Sequence, residues 1–499
     1  MSSATFNSER NSPPTPAAEP AAESRAAHDP TTPQALIDFM LGGWDSAPSA
    51  AVEPVRGVER FAARRAALSA RFPAEALVIP TGHEKVRAND TYFRFRPGTE
   101  FYYLTGNTEP DCVLVMLPRA GGGHDELLFV EPGGRQDASF FTDRKAGELW
   151  VGPRLGIERS QARYGVAQCR PLAELPEVLD RACARSSTQK SHRLLRGFSA
   201  ACDARLAPDD GDAELAQVLS EMRLIKDALE VEELRAAIES THRGFGDVLA
   251  ALAPQATERH VEGVFNLRAR VEGNDVGYGT IAASGAHACV LHWTKNDGAL
   301  RQGELLLLDA GVEAHTLYTA DITRTIPISG RFSPPQRRIY ELVLRAQREA
   351  MAAVRPGVDF LEPNRVAMRI LTEGLFALGI LRVPPEEALR EDRQLYRRYT
   401  LHNVSHMLGL DVHDCAQARQ EAYKHGKLAA GMVLTVEPGL YFQADDLTVP
   451  AEYRGIGIRI EDDVLVTPDG HENLSADIPA EPDAVEAWIA ASLSASPRR

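Results

Sequence analysis

Long apolar runs are missing from this 499-residue sequence. No stretch approaches the roughly 18 consecutive apolar residues of a transmembrane helix. The first twenty residues are polar and contain Glu and Pro, with no apolar core of a secretory signal. Basic excess is missing too. Lys and Arg number 55 against 70 Asp and Glu, a net charge of -15, which disfavours nucleic acid or an anionic membrane as an extended partner. Paired cysteines are the third absence. The six, Cys112, Cys169, Cys183, Cys202, Cys289 and Cys415, are scattered with no CxxC, a pattern of free thiols in a reducing compartment rather than a disulfide framework. A cytoplasmic protein with no nucleic-acid and no membrane partner is the expectation.

What is present is a globular composition, 44% hydrophobic and 25% charged, on a chain too long for one ordinary core. Residues 1–34 are rich in Ala, Pro, Ser, Thr and Glu without apolar periodicity and read as a disordered tail. Order is expected to begin near Ala35 to Trp44. Val58 to Phe72 interleaves apolar residues with Arg at helical spacing. Short apolar runs bounded by Pro, Gly or Asp read as strands at Ala76–Ile79, Phe101–Leu104, Cys112–Leu117 and Leu127–Val130. Helical patterns at 136–149 and 172–184 complete an α/β domain over 45–222.

Arg223–Lys226 precedes a long charged helix, about Ala228 to Leu252, that makes a natural joint. Beyond it the character changes. Strands are expected at Leu305–Ala310, Thr319–Ile328, Met432–Tyr441 and Ile458–Val466, with helices at Pro335–Val354 and Leu361–Leu378. That is an α+β domain of antiparallel hairpins over 223–499, whose two carboxylate-bearing strand pairs point to an internal duplication.

Four acidic residues interrupt these apolar runs: Asp309 after Leu305–Leu308, Asp321 in the next strand, Glu437 in Val433–Tyr441 and Glu461 in Gly455–Val466. A carboxylate in a strand core is costly without a cation or donors to compensate it. Strand alternation puts Arg459, Glu461 and Asp463 on one face and Ile458, Ile460 and Asp462 on the other. A hairpin turning about His315 would set Asp309 opposite Asp321, with Cα atoms about 4.5–5.5 Å apart. Four clustered carboxylates cannot all ionise unaided; two divalent cations would neutralise them. A neutral imidazole would complete the set, and His402, His406 and His413 are candidates. Oxygen-dominated donors without thiolate suit Mn²⁺ or Mg²⁺, with Co²⁺ and Zn²⁺ also compatible. Two ions about 3.5–4 Å apart can activate water and clamp a hydrolytic transition state. Any one of these acids or histidines alone would more often be an ordinary solvated or hydrogen-bonded residue. The argument rests on all of them falling within the last 200 residues.

The segments DAG…TADITRT, HNVSHMLGLDVHD, TVEPGLYF and GIGIRIEDDVLVT resemble the pita-bread metallopeptidases, in the branch of aminopeptidase P and prolidase. Arg87 to Pro110, ending YLTGNTEP, is similar to the N-terminal domain of aminopeptidase P. The resemblance implies a smaller α/β N-terminal domain before a pita-bread catalytic domain. It also implies metal ligands at Asp309, Asp321, His406, Glu437 and Glu461, with Asp321 and Glu461 shared by both ions. It further implies catalytic or cleft roles for His292, His402, His413, Glu437 and Arg459, and a homo-oligomer, dimer or tetramer. The implied reaction removes the residue preceding proline from proline-containing peptides. Prolidase activity on Xaa-Pro dipeptides and a non-catalytic binding module are the alternatives, the second disfavoured because all five ligand positions are filled. One departure stands out: Asp309 and Asp321 are twelve positions apart rather than eleven, which should lengthen the turn near His315.

Overall fold

In the computed structural model, residues 32–44, 51–135, 137–183, 192–253 and 255–495 are described. Most of the expected tail lies outside them. A short helix, Gln34–Leu41, lies where order is expected to begin, and none of its residues is buried. Two compact units are formed. The smaller joins the described residues up to Trp44 to Gly133–Leu155. There Trp44 packs edge-on against Phe140 and takes the Arg135 guanidinium over its face. The expected helix over 136–149 is two fragments, Ser139–Thr142 and Glu148–Val151, because Asp143 caps the intervening turn through the amides of Lys145 and Ala146.

The larger unit holds everything else. Its N-terminal part is a mixed five-stranded sheet in the order Gln168–Pro171, His124–Val130, Val113–Pro118, Ala76–Pro80, His192–Leu194. The amphipathic helix Val58–Arg71 buries Phe61 and Leu68. Phe101–Leu104 is not the expected strand but part of a buried helix, Thr99–Thr105, that opens after Pro97-Gly98 and closes on Gly106 in the left-handed region. A short buried helix and a buried strand are both continuous apolar runs, so periodicity could not separate them.

The C-terminal part is built from antiparallel hairpins. Leu305–Ala310 lies between Ile281–Ser284 and Ile322–Pro327. The register sets Asp309 opposite Thr323, not opposite Asp321. The hairpin closes at Ala314 and Tyr318, whose backbones bond at 2.9 Å, leaving a three-residue loop with Leu317 at φ 66°. A turn followed by a left-handed residue is the usual build of three-residue hairpin loops; it centres the hairpin on Thr316 rather than His315 and so shifts the register by two. Gly311 makes this possible, since a Cβ there would lie 1.7 Å from the Ala320 carbonyl oxygen.

The second expected hairpin is interrupted. Val433–Val436 pairs with Asp462–Thr467, and Gly439–Tyr441 with Gly457–Arg459. The pairings share one register, so Glu437 faces Glu461 across the gap. Pro438 has no N–H to continue the ladder. The helices Ala228–Ala251, Pro334–Ala352 and Glu362–Ala377 fall close to expectation.

A buried ion network ties Arg223 and Lys226 to the loop after His406. Asp414 accepts from Arg223 Nε at 3.0 Å and from Lys226 Nζ at 3.2 Å, and Arg223 also reaches Glu100 at 3.1 Å. Asp414, Arg223 and Lys226 are all buried, and the two cations hold the Asp414 carboxyl below its ordinary range against the effect of burial. Asp414→Asn keeps the shape but takes the carboxylate from buried Lys226 and leaves Arg223 with Glu100 alone. It should cost about 3–5 kcal/mol and lower the thermal unfolding midpoint by several degrees; an unchanged midpoint would show that the network contributes little.

Candidate metal centre and active site

Two broken hairpins and one loop deliver the site. Asp309 leaves the buried strand Leu305–Ala310, and Asp321 stands one residue before Ile322–Pro327. Glu437 and Glu461 occupy the gap in the second hairpin. His402, His406 and His413 come from the irregular loop 400–415, whose backbone is anchored where Glu437 N donates to Val404 O at 2.9 Å and Thr435 N to His406 O at 3.0 Å. All nine residues singled out in the sequence line one cavity of about 520 Å³: His292, Asp309, Asp321, His402, His406, His413, Glu437, Arg459 and Glu461. Ile281, Leu291 and Val412 give it an apolar wall.

Ligand atoms of Asp321, His406 and Glu461 lie within 4.8 Å of one another. His406 Nε2 is 3.3 Å from Asp321 Oδ2 and 3.5 Å from Glu437 Oε1. Asp309 is held from the other side, by Arg459 Nη2 at 2.5 Å. Arg459 also donates to the Tyr441 hydroxyl at 2.9 Å and to Thr323 Oγ1 at 3.2 Å, and Thr323 in turn donates to Glu461 Oε2 at 2.6 Å. The alternation expected for Arg459, Glu461 and Asp463 is present. Asp463 Oδ2 accepts the Asp321 N–H at 3.2 Å, while Asp462 faces away into contacts with Arg324, Gln347 and Ser475.

The electrostatics follow from this crowding. Burial, joined by the charge of Asp321, raises the Asp309 carboxyl even though Arg459 opposes it. Burial lifts Glu437 to about 7 against His406 and Arg459, and lifts Glu461 well above its usual range with Asp321 and Glu437 adding to the effect. Burial works against a charged His406, but Asp321 and Glu437 outweigh it and push that imidazole up to about 9. His402, buried beside Arg459, drops to about 4 and is neutral. Four carboxylates therefore crowd round one guanidinium, and their raised ranges show that the cavity's own groups do not compensate them. The donor set of four carboxylates and an imidazole, without thiolate, fits hard divalent cations.

Residues that the sequence did not single out complete the arrangement. The Tyr278 hydroxyl lies 2.7 Å from Asp309 Oδ1 and 2.5 Å from Asp321 Oδ1, its single proton between them. Tyr441 shares a 2.8 Å hydrogen bond with His402 Nε2 and so links it to Arg459. A tyrosine has no period or spacing that marks it as a site residue; for Tyr278 the only signal was its place between two glycines.

Residues 232–468 match metallopeptidase family M24 and residues 61–191 the aminopeptidase P N-terminal domain. The chain is 50% identical over 479 residues to Xaa-Pro aminopeptidase 1 of Streptomyces coelicolor, covering 95% of each. It is 34% identical to the Xaa-Pro aminopeptidase of Escherichia coli, covering 87% of this chain and 98% of that one. Among solved structures, aminopeptidase P from Escherichia coli with the inhibitor Pro-Leu superposes with a TM-score of 0.78 at 32% identity, covering 89% of this chain and all of that one. Proline aminopeptidase P II from Yersinia pestis superposes with a TM-score of 0.77 at 34% identity, over 87% of this chain and 99% of that one. The hairpins, the buried acidic cavity and these similarities agree: the chain belongs to metallopeptidase family M24, with the two-domain architecture of the aminopeptidase P enzymes.

Proposed function

We propose that this protein is a Xaa-Pro aminopeptidase, releasing the N-terminal residue from peptides with proline in second position. The observation that carries the reading is the convergence of four carboxylates and four histidines on one cavity, in a chain half identical to an enzyme of that name. Asp309, Asp321, His406, Glu437 and Glu461 would hold two divalent ions, with Asp321 and Glu461 shared and Mn²⁺ the expected metal. Bound there, the ions supply Lewis-acid polarisation of the scissile carbonyl and water activation at neutral pH.

The protein's own groups have separable tasks. Glu437, 3.5 Å from His402 and from His406, accepts the proton of the attacking water. His413 donates a hydrogen bond to the oxyanion that develops on the carbonyl, and His402, held at Nε2 by the Tyr441 hydroxyl and at Nδ1 by the Asn403 carbonyl, flanks it. His413 packs edge-on to His406 with ring centroids 4.4 Å apart. The substrate's free amine sits beside Asp309, whose carboxylate Arg459 holds in place. Proline offers no N–H to grip, so the ring is selected by shape, with His292 and the apolar wall at Leu291 and Val412.

The wider reading has a tail over 1–44, an N-terminal domain over 45–222 and a catalytic domain over 223–499. The two family matches fall within the last two spans. We place the enzyme in the cytoplasm as a homo-oligomer, dimer or tetramer. Five free buried cysteines support a reducing compartment, and no helix among the described residues is long and apolar enough to cross a membrane. The exposed hairpin Val86–Ala88 and Thr91–Tyr92, followed by exposed Phe93, supports a subunit contact through the N-terminal domain.

Two measurements test the assignment. After metal stripping, activity on a Xaa-Pro-Yaa tripeptide should vanish and return with Mn²⁺, while a Xaa-Pro dipeptide is cleaved far more slowly. Cleavage of the dipeptide alone would make the protein a prolidase, and cleavage of neither would leave a binding module. Asp321→Ala and Glu461→Ala should each lose bound metal, read by elemental analysis, together with turnover. Full activity and full metal in either variant would remove that residue from the ligand set. His413→Ala should keep its metal and lose about 10²–10³ in kcat.

A further inference from the structure

His292 lines the cavity from the segment 284–298, yet among the described residues no side-chain hydrogen bond fixes its imidazole. Its position therefore depends on the backbone that carries it. That backbone converges on one carboxylate from outside the segment. Glu258, fully buried at the start of the helix Glu258–Glu272, accepts five hydrogen bonds. Its Oε1 takes Ser284 N–H at 2.7 Å, Ser284 Oγ–H at 2.8 Å and His287 Nδ1 at 2.8 Å. Its Oε2 takes Trp293 Nε1–H at 2.9 Å and the Gly298 N–H at 2.7 Å. The donors sit at the beginning, middle and end of the segment, and Trp293 adjoins His292. Residue 298 must be glycine for this approach, because a Cβ there would lie 2.8 Å from the carboxylate. His287, stacked on Trp293 with ring centroids 3.9 Å apart, stiffens the same loop.

We propose that Glu258 is a positioning residue for the reaction: its carboxylate gathers the segment 284–298 and thereby sets His292 in the substrate cavity. Glu258 touches no substrate and none of the residues assigned to metal binding, so its effect passes through the loop. This inference rests on the aminopeptidase reading, in which His292 contacts substrate. The chemistry makes one substitution diagnostic. Glu258→Gln preserves shape, but its amide NH₂ would face N–H donors at whichever oxygen it replaces, leaving buried donors without acceptors. The near-isosteric variant should therefore behave as a disruption. Trp293→Phe, which keeps the ring stack and removes one donor, should be milder.

The test is a double-mutant cycle on the Mn²⁺-loaded enzyme, joined to amide hydrogen exchange. Glu258→Gln should lower kcat/KM for a Xaa-Pro-Yaa tripeptide by about 10²-fold at unchanged metal content. In a His292→Ala background the same change should cost less than about threefold, because the two act as one unit. Exchange should accelerate across 284–298 and stay unchanged in the strand Leu305–Ala310. Additive losses in the cycle, or unaltered exchange in the segment, would overturn the proposal. If the wild type cleaves no Xaa-Pro substrate, the aminopeptidase reading fails on that arm alone, and the exchange measurement still decides whether Glu258 anchors the loop.

Discussion

Mutual repulsion among four buried carboxylates is the constraint to which the rest of the catalytic half answers. Asp309, Asp321, Glu437 and Glu461 enter one cavity from two hairpins, and burial multiplies the cost of each charge. The surrounding groups divide that load. Arg459 holds Asp309, Tyr278 lies between Asp309 and Asp321, Thr323 supports Glu461, and His406 Nε2 reaches both Asp321 and Glu437. These contacts temper the charge without cancelling it, and the remainder matches what divalent ions bring.

A second design theme is polar hubs beneath irregular backbone. The segments that carry His292, His406 and His413 have little secondary structure of their own, so their amides and carbonyls need partners elsewhere. Three buried charged side chains supply order: Glu258 under 284–298, Asp414 under the loop past His406, and Arg324 across the centre. Arg324 donates to the carbonyls of Thr323, Glu461, Ile478 and Pro479 and to Asp462. It thereby ties the strand after Asp321 to the strand at Glu461. Apolar packing could fill these volumes, but it could not fix the backbone groups that aim the site.

The same division explains what could be read from the amino acids. Apolar strands ending in acids are conspicuous because burial of charge is costly, so Asp309, Asp321, Glu437 and Glu461 stand out from the residue pattern alone. Long amphipathic helices such as Ala228–Ala251 were legible from their period. Phe101–Leu104 was not, since a wholly buried run has no polar face to reveal its repeat. The hairpin register also escaped, because Leu317 occupies a left-handed position without the Gly or Asn that usually marks one.

The order of residues by itself determined the fold class and the chemical character of the centre. Composition, periodicity and the expense of burying acid act locally along the chain. Only the tertiary structure decided that Asp309 faces Thr323 while Glu437 faces Glu461. The same holds for the partnership of Tyr278 and Tyr441 with the acids, and for Glu258 gathering a segment whose Gly298 lies 40 positions away. Those relations depend on register, close backbone approach and hydrogen-bond geometry between distant segments, and no local pattern encodes them.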